Sequence, residues 1–404
     1  MGSQDLAVLA EVDIPAKEVE RLAKGIGQER CDERDAAAAA YLALPLTTRK
    51  SAPAGVVPPD VAVVGTDGGR LQIFDRRASA RAAAEPAKAA AAEPALEDED
   101  RQRRGRHWRE DKVGLLMAMT SPVAAVDPCP EIPEGFLDPT RMGKLVRELR
   151  KGVPLAEEAA QAAADPDADR EPLQRPGQSW EPPTVEHKWL VASRRPWEQF
   201  GPLVAAAAWA MGLFAATRRA FVGDGADNNG TLWKERFSSF VPILDFIHAL
   251  SYVYAAAQAG QSRAAGWVCY ARWIRWVWGG QVAEVLRELQ ERQAELGQAT
   301  EQDKETCPRV VVEKALTYLR NNAERMKYDP CRREGLPITS SYVESAVKQF
   351  NVRVKGTEKF WSEAGAEALL QLRADYLSDD QPLEAFWERR QARQTGQRPY
   401  RRVA

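Results

Sequence analysis

The chain has little of several things that define common protein classes. It holds three histidines and five cysteines among 404 residues, and no two cysteines form a C-x-x-C pair. A histidine-rich metal centre, a zinc knuckle and a disulfide framework are therefore disfavoured, and a reducing cytoplasm is the expected compartment. The sequence also lacks a GxGxxG or Walker-type loop, which argues against a metabolic enzyme that binds phosphates through such a loop.

A surplus of charge of one sign and a long apolar run are missing as well. The 56 Lys and Arg residues nearly balance the 58 Asp and Glu residues. A globally basic DNA-coating protein is therefore disfavoured, whereas a local basic groove is still allowed. The longest apolar stretch, around 204–216, is too short to span a membrane. We expect a soluble protein without a membrane partner and with at least one substantial core.

Strand-like and helix-like patterns alternate along the chain, with polar insertions between them. Strand-like runs are predicted at 61–66, 70–75, 112–119, 188–193 and 219–223, with Asp67-Gly68-Gly69 as a hairpin turn between the first two. The order predicts an α/β fold with a mixed sheet flanked by helices. The predicted segments are an N-terminal helical segment (1–46), a first core part (47–77), a flexible Ala-rich and charged insertion (78–106), a core strand (107–127), a polar insertion (128–183), a second core part (184–248), a helical insertion (249–335), a core helix with a basic run (336–380) and a basic tail (381–404).

Acidic residues follow several of the predicted strands. Asp224 and Asp245 each follow a short apolar strand and precede helix-like sequence, and Asp67 stands after the first strand. An acid at the carboxyl end of a parallel strand faces the crevice where open α/β sheets place their chemistry. Glu344 lies near the start of a later helix. Two structural interpretations compete, because Asp67 also suits a hairpin turn and Glu344 also suits a capping box with Ser341.

The three acids Asp67, Asp224 and Glu344 suit the chemistry of phosphodiester bonds. Cleavage and strand transfer require an activated water or 3′-hydroxyl and stabilisation of the leaving oxygen, which two divalent ions held by carboxylates supply. Mg²⁺ prefers oxygen ligands, so histidine and cysteine ligands are unnecessary. We therefore predict these three residues as the metal-binding catalytic triad for two Mg²⁺ ions, with Mn²⁺ as a substitute.

Two aromatic and basic runs have an interpretation as nucleic-acid contacts and a structural alternative. The tryptophans between Trp267 and Trp278 favour a helical core over stacking against unpaired bases. The run after Glu344 suits DNA phosphates, whereas its structural alternative is a solvated helix face. The predicted DNA-binding residues are Lys348, Asn351, Arg353, Lys355, Lys359 and Trp361.

Taken together, these motifs resemble the DDE transposases of bacterial insertion sequences, in particular the Kra group, with the Mutator-like enzymes as distant relatives. The resemblance covers roughly 14–380. The motifs that carry it are Asp67-Gly68-Gly69-Arg70, His107-Trp108-Arg109-Glu110-Asp111-Lys112-Val113, Gly223-Asp224-Gly225-Ala226 with Trp233, Ile243-Leu244-Asp245-Phe246-Ile247-His248-Ala249, Trp278-Gly279-Gly280, and Tyr342-Val343-Glu344-Ser345 with the basic run after it.

The resemblance implies an RNase H-like core with an all-helical insertion between the second and third acids. It implies Asp67, Asp224 and Glu344 as the metal-binding triad and Asp245 and His248 as supporting residues, although a buried core histidine is an equal alternative for His248. The implied function is transposition: cleavage at element ends and strand transfer into target DNA. The expected partners are double-stranded DNA and a second copy of the chain, in the bacterial cytoplasm at the nucleoid. The alternatives are an RNase H-like nuclease or resolvase and a non-catalytic DNA-binding protein derived from a transposase.

Overall fold

A computed structural model of the protein describes residues 15–73, 108–149, 182–356 and 359–393. The predicted insertion at 78–106 lies outside these residues, as do 150–181 of the predicted polar insertion and 394–404 of the predicted tail. Within the described part, no helix is long and apolar enough to cross a membrane.

The described strands form one mixed sheet. They are β1 (Val61–Ile73), β2 (Trp108–Thr120), β3 (Thr184–Ser193), β4 (Arg218–Gly223), β5 (Val241–Leu244) and the two-residue β6 (Phe360–Trp361). The spatial order is β3-β2-β1-β4-β5, with β6 beside the far end of β1. β1, β2 and β3 pair antiparallel, whereas β4 runs parallel to β1 and to β5. The chain is therefore an α/β protein with a mixed five-strand sheet flanked by helices, consistent with RNase H-like topology.

Helices cover both faces of the sheet. Those of the described part are α1 (Ala16–Ala43), α2 (Leu46–Arg49), α3 (Pro139–Leu149), α4 (Trp197–Ala210), α5 (Asp227–Arg236), α6 (Phe246–Gln258), α7 (Arg263–Trp278), α8 (Val282–Leu296), α9 (Pro308–Asn322), α10 (Tyr328–Arg333), α11 (Ser341–Val354), α12 (Glu363–Leu377) and α13 (Pro382–Arg393). Successive side chains of a strand point to opposite faces of the sheet, so the core is divided between the two faces. Val61 and Val63 join the cluster under α11 and the helical insertion, and Ala62 and Val64 join the cluster under α1 and α4.

β1 is one uninterrupted strand, so the predicted hairpin turn at Asp67-Gly68-Gly69 is wrong. The turn-forming residues stay extended because each of them pairs with a residue of β2, Gly69 with Asp111 among them. A Cβ atom at Gly69 would lie 2.9 Å from both carboxylate oxygens of Asp111. The glycine therefore allows a close cross-strand approach and not a change of direction.

The tryptophans of the helical insertion pack inside the protein. Trp273 and Trp278 of α7 are buried, and both indole nitrogens have acceptors. Trp273 Nε1 donates to Glu288 Oε2 at 2.6 Å, and Trp278 Nε1 donates to the carbonyl of Cys129 at 2.8 Å. Their interpretation as a helical core is confirmed.

Part of the predicted polar insertion belongs to the core, which corrects the interpretation of residues 134–149. A 3₁₀ turn at Glu134–Leu137 and helix α3 bury Phe136, Met142 and Val146. Met142 and Val146 stand four apart, so they share one face of an otherwise charged helix. The surrounding charged residues hid this short amphipathic pattern.

The predicted basic tail contains helix α13, which docks on α1. Phe386 is buried, and Arg389 and Arg390 pair with Glu33 and Glu29 of α1 at 2.8 and 3.1 Å. These two arginines are therefore engaged within the protein and do not form the free basic patch that the composition predicted.

Candidate active site

Three aspartates lie level with one another just beyond the points where the parallel pairings of β1, β4 and β5 end. The β1–β4 pairing ends two residues before Asp67 and two before Asp224. The β4–β5 pairing ends directly before Asp224 and Asp245. Continuing both registers aligns the three residues across strands that lie about 4.8 Å apart. Strand alternation directs them to the face on which α11 packs, and the charges of Asp224 and Asp245 act on Asp67.

Asp67 lies on β1 just beyond the stretch that β4 covers. Its Oδ1 accepts a hydrogen bond from the amide of Gly68 at 2.7 Å. Burial raises the pKa of Asp67, and the charges of Asp224 and Asp245 raise it further, against the lowering effects of the Gly68 amide and of His248. Asp67 is therefore a carboxylate close to other negative charges, and a bound cation would stabilise its ionised form.

Asp224 begins the loop between β4 and α5. Its Oδ1 accepts from the amide of Ala226 at 3.0 Å and from Asn229 Nδ2 at 2.8 Å. Its backbone carbonyl accepts from the hydroxyl of Tyr318 at 2.6 Å. The loop is thus tied both to the first turn of α5 and to the helical insertion, so one oxygen of this carboxylate has a fixed orientation.

Asn229 connects the strands that carry the first two acids, and the sequence reasoning did not assign it a role. The residue is 5% exposed. Its Oδ1 accepts from Thr66 Oγ1 at 2.6 Å, while its Nδ2 donates to Asp224 Oδ1. Thr66 directly precedes Asp67, so one buried amide sets the spacing between the two acids. The signal in the sequence was a polar residue in the first turn after Asp224.

Asp245, which is buried, and His248, which is half-buried, form a pair at the start of α6. Asp245 is fully buried, and its Oδ2 accepts from the amide of His248 at 3.0 Å and lies 2.6 Å from His248 Nδ1. Its Oδ1 accepts from the amide of Ser340 at 2.8 Å. Burial lowers the pKa of His248, but the hydrogen bond and charge of Asp245, together with Asp224 and Glu344, raise it to about 9.

Glu344 lies in the first turn of α11, above the three aspartates. The helix begins after Ser340 and no side chain caps it, so the structural alternative for Glu344, a capping box with Ser341, is wrong. Burial raises the pKa of Glu344, as do the charges of Asp245 and Asp67, while His248 and Lys348 lower it. The glutamate is therefore directed at the acidic group and not at its own helix end.

The donor set suits a hard divalent cation. One ligand atom each from Asp245, His248 and Glu344 lies within 4.8 Å of the other two, a grouping that Asp67 and Asp224 do not join in the described chain. The ligands of two ions about 3.5–4 Å apart, each bound at about 2.1 Å, are separated by up to about 8 Å. Acids of a two-ion site therefore need not form one compact group. The charge of Asp67 acts on Glu344, and the charge of Asp224 acts on Asp67.

Two of the predicted DNA-binding residues lie on or beside α11 with free access to solvent. Lys348 is one turn beyond Glu344 and is exposed. Lys355 is also exposed, and its Nζ lies 5.5 Å from the centre of the Trp108 ring. Both ammonium groups stand on the side of α11 that continues from the acids, where phosphate contacts are useful.

Two of the other four predicted DNA-binding residues contact the end of α11. Lys359 Nζ donates to the carbonyls of Val352 and Arg353 at 3.2 Å, and Trp361 Nε1 donates to the carbonyl of Val354 at 2.8 Å. Asn351 Oδ1 is buried without a hydrogen-bond partner among the residues described. Lys359 and Trp361 therefore hold the helix end in place.

No protein-family model, no curated protein and no solved structure matches the chain. The argument for a function therefore rests on the chemistry of the side chains that the fold brings together.

Proposed function

We propose that this protein is a DDE transposase of the Kra type, which cuts DNA at the ends of an insertion sequence and joins the freed 3′-hydroxyl to target DNA. The observation that carries the proposal is the alignment of Asp67, Asp224 and Asp245 at one sheet edge, with Glu344 on the helix above them. Residues separated by 157 and 120 positions would together supply the oxygen ligands that Mg²⁺ prefers.

Each residue has a distinct part in the proposed site. Asp67, Asp224 and Glu344 would hold two Mg²⁺ ions, which, when bound, activate the attacking hydroxyl and stabilise the leaving oxygen. Asn229 orients Asp224, and Asp245 orients His248 and anchors the start of α11 through the Ser340 amide. These hydrogen bonds fix the orientation of the acids before substrate binds. Such pre-orientation of the reacting groups increases the rate of the reaction.

The proposed partners follow from the same chemistry. Lys348 and Lys355 would contact phosphates of double-stranded DNA on the side of α11 that follows Glu344. Because synapsis of two element ends needs two active sites, the working form would be a homodimer or a larger assembly on DNA.

The test is metal-dependent nicking and joining of a labelled duplex that carries the ends of the host element. Asp67→Asn, Asp224→Asn and Glu344→Gln should each lower the rate by at least about a thousandfold, because several kcal/mol of transition-state stabilisation are lost. DNA affinity should be retained. Glu198→Gln is the control, since Glu198 is an exposed glutamate in the first turn of α4. A chelator should abolish the reaction of the wild type.

A binding measurement separates the metal site from the chemistry. Mn²⁺ at a hundredfold excess over its dissociation constant should stabilise the wild type by about 2.7 kcal/mol, and Asp224→Asn should lose this effect. Cleavage without joining would favour a nuclease or resolvase. DNA binding without any metal-dependent chemistry would favour a non-catalytic protein derived from a transposase. Full activity of an acid variant would remove that acid from the site.

A further inference from the structure

A groove of about 1120 Å³ lies beside the candidate active site. One wall is formed by residues 225–234, which are the loop after Asp224 and the first turns of α5. The other wall is the face of α9 that leads to Arg325, and Tyr252 of α6 also lines the groove. The groove therefore lies between the sheet edge that carries the acids and the helical insertion.

The groove continues directly from the Asp224 loop. The Tyr318 hydroxyl holds the carbonyl of Asp224 at 2.6 Å, so α9 is fixed against this loop. Gly225 follows with a φ of +83°, and a Cβ atom there would lie 3.1 Å from both Asn322 Nδ2 and Tyr318 Cε2. The glycine therefore lets α9 pack closely against the loop after Asp224.

Arg325 is held at the groove wall in a fixed orientation. Its guanidinium lies 5.8 Å from the centre of the Trp233 ring, and its Nη1 donates to Asn322 Oδ1 at 3.3 Å. A Cβ atom at Gly230 would lie 3.2 Å from Arg325 Nη2. No carboxylate pairs with Arg325 in the part of the chain that the structure describes. A pre-oriented guanidinium without an acidic partner is suited to a phosphate.

The remaining lining mixes polar and apolar side chains, which suits the polar edges and the flat faces of nucleotide bases. Three cations and two acids line the groove, which leaves a net charge of +1. The stacked rings of Tyr252 and Tyr318 lie 3.7 Å apart at 11° and present aromatic surface to the groove. The charged lining residues are Asp227, Lys234, Glu313, Lys314 and Arg325.

The size of the groove selects between unpaired and paired DNA. Its volume is close to the upper end of the roughly 300–1,000 Å³ typical of ligand pockets, so it accommodates a few nucleotides. This volume is too small for a duplex, whose major groove alone is about 12 Å wide. We propose that the groove binds a short unpaired segment of the DNA strand that carries the bond to be cut, with Arg325 on a phosphate. This inference rests on the proposed function for the identity of that strand.

Binding of a fluorescent single-stranded oligothymidylate, compared with a hairpin duplex, tests the inference. Arg325→Ala should weaken oligothymidylate binding about tenfold, the loss expected for a charge-assisted hydrogen bond. The slope of log affinity against log salt should fall by about 0.7, as for one phosphate contact on a single strand. Duplex affinity should not change. The matched control is Arg320→Ala, which removes an exposed arginine of α9 that does not line the groove.

A second variant guards against loss of folding. Thr317→Trp adds bulk at an exposed position of the α9 wall, and it should block oligothymidylate while Thr317→Ala does not. Equal affinities of Arg325→Ala, Arg320→Ala and the wild type would overturn the inference, as would an equal loss for single strand and duplex.

Nicking by the same preparations in Mn²⁺ separates the two proposals. If the wild type nicks DNA but Arg325→Ala shows no selective loss of oligothymidylate binding, the proposal for the groove is overturned and the catalytic proposal stands. Selective oligothymidylate binding without any nicking would support the groove and overturn the catalytic proposal.

Discussion

Asp111 is a buried carboxylate whose charge has no direct partner. It is 1% exposed, and neither oxygen accepts a hydrogen bond within the described residues. Burial raises the pKa of Asp111 to about 6, although its own backbone amide and the charges of Lys355, Lys112 and Arg194 lower it. Asp111 stands diagonally across β1 and β2 from Asp67, about 7–8 Å away by strand geometry. An ionised Asp111 therefore reduces the stability of the folded protein close to the candidate site.

Replacing Asp111 with asparagine should stabilise the protein in a pH-dependent way. The folded pKa lies above the unfolded value of about 3.9, so the native state binds the proton more tightly, and stability falls as pH rises from about 4 to about 6. Asp111→Asn should therefore gain up to about 3 kcal/mol at pH 8 and almost nothing at pH 4. Urea denaturation at both pH values measures this difference.

The control for this prediction is Asp227→Asn, which changes an exposed aspartate at the start of α5. It should give no gain at either pH. An equal effect of Asp111→Asn at pH 4 and pH 8 would mean that ionisation of Asp111 does not strain the fold.

The contact between α11 and β1 determines where Glu344 lies. A Cβ atom at Gly65 would lie 2.4 Å from Val343 Cγ2 and 3.4 Å from the carbonyl of Val222. Val343 is buried and directly precedes Glu344. Because a helical valine has one strongly preferred rotamer, it cannot easily turn away from an added methyl group. Glycine at position 65 thus allows the helix with the third acid to approach the strand with the first.

Gly65→Ala should move α11 away from β1 and should destabilise the protein by about 1–3 kcal/mol through overpacking. Mn²⁺ stabilisation and nicking should fall with it, because Glu344 moves with Val343. Thermal melting with and without Mn²⁺ measures both effects. Gly68→Ala is the control in the same strand, since its Cβ would meet no atom closer than 3.6 Å. Similar behaviour of the two variants would show that α11 does not depend on this close approach.

At the scale of the whole molecule, one cluster of aromatic side chains joins the sheet to the helical insertion. Phe246, the residue after Asp245, lies 5.2 Å from Phe136, 5.1 Å from Trp278 and 5.3 Å from Tyr328 between ring centres. The same cluster of buried residues includes Val63 of β1 and Leu289 of α8. The insertion is therefore packed into the core that supports the acids.

We expect the insertion and the sheet to unfold together. Trp278→Leu removes ring contacts and the hydrogen bond to Cys129, which should cost about 3 kcal/mol. The midpoints from far-ultraviolet circular dichroism and from tryptophan fluorescence should fall by the same amount. A separate early transition of the insertion, with the sheet signal unchanged, would contradict a shared core.

Much of the candidate site was predictable from local sequence. A strand followed by an acid and a helix is recognisable within about ten residues. For this reason the sequence predicted that Asp224 and Asp245 follow strands and that Glu344 lies on a helix, as they do in the structure. The helical pattern of α7 likewise predicted the burial of Trp273 and Trp278. These features depend on side-chain alternation and helix periodicity, which neighbouring residues determine.

The tertiary structure decided the features that depend on distant partners. Asp67-Gly68-Gly69 reads locally as a turn, but pairing with β2 keeps it extended and brings Asp67 level with Asp224. Asn229 became a bridge only because Thr66 lies beside it. The sequence by itself determined which residues end strands and start helices, since those preferences are local. Register, burial and the convergence of the acids required packing across more than a hundred residues, because only the folded chain brings those partners into contact.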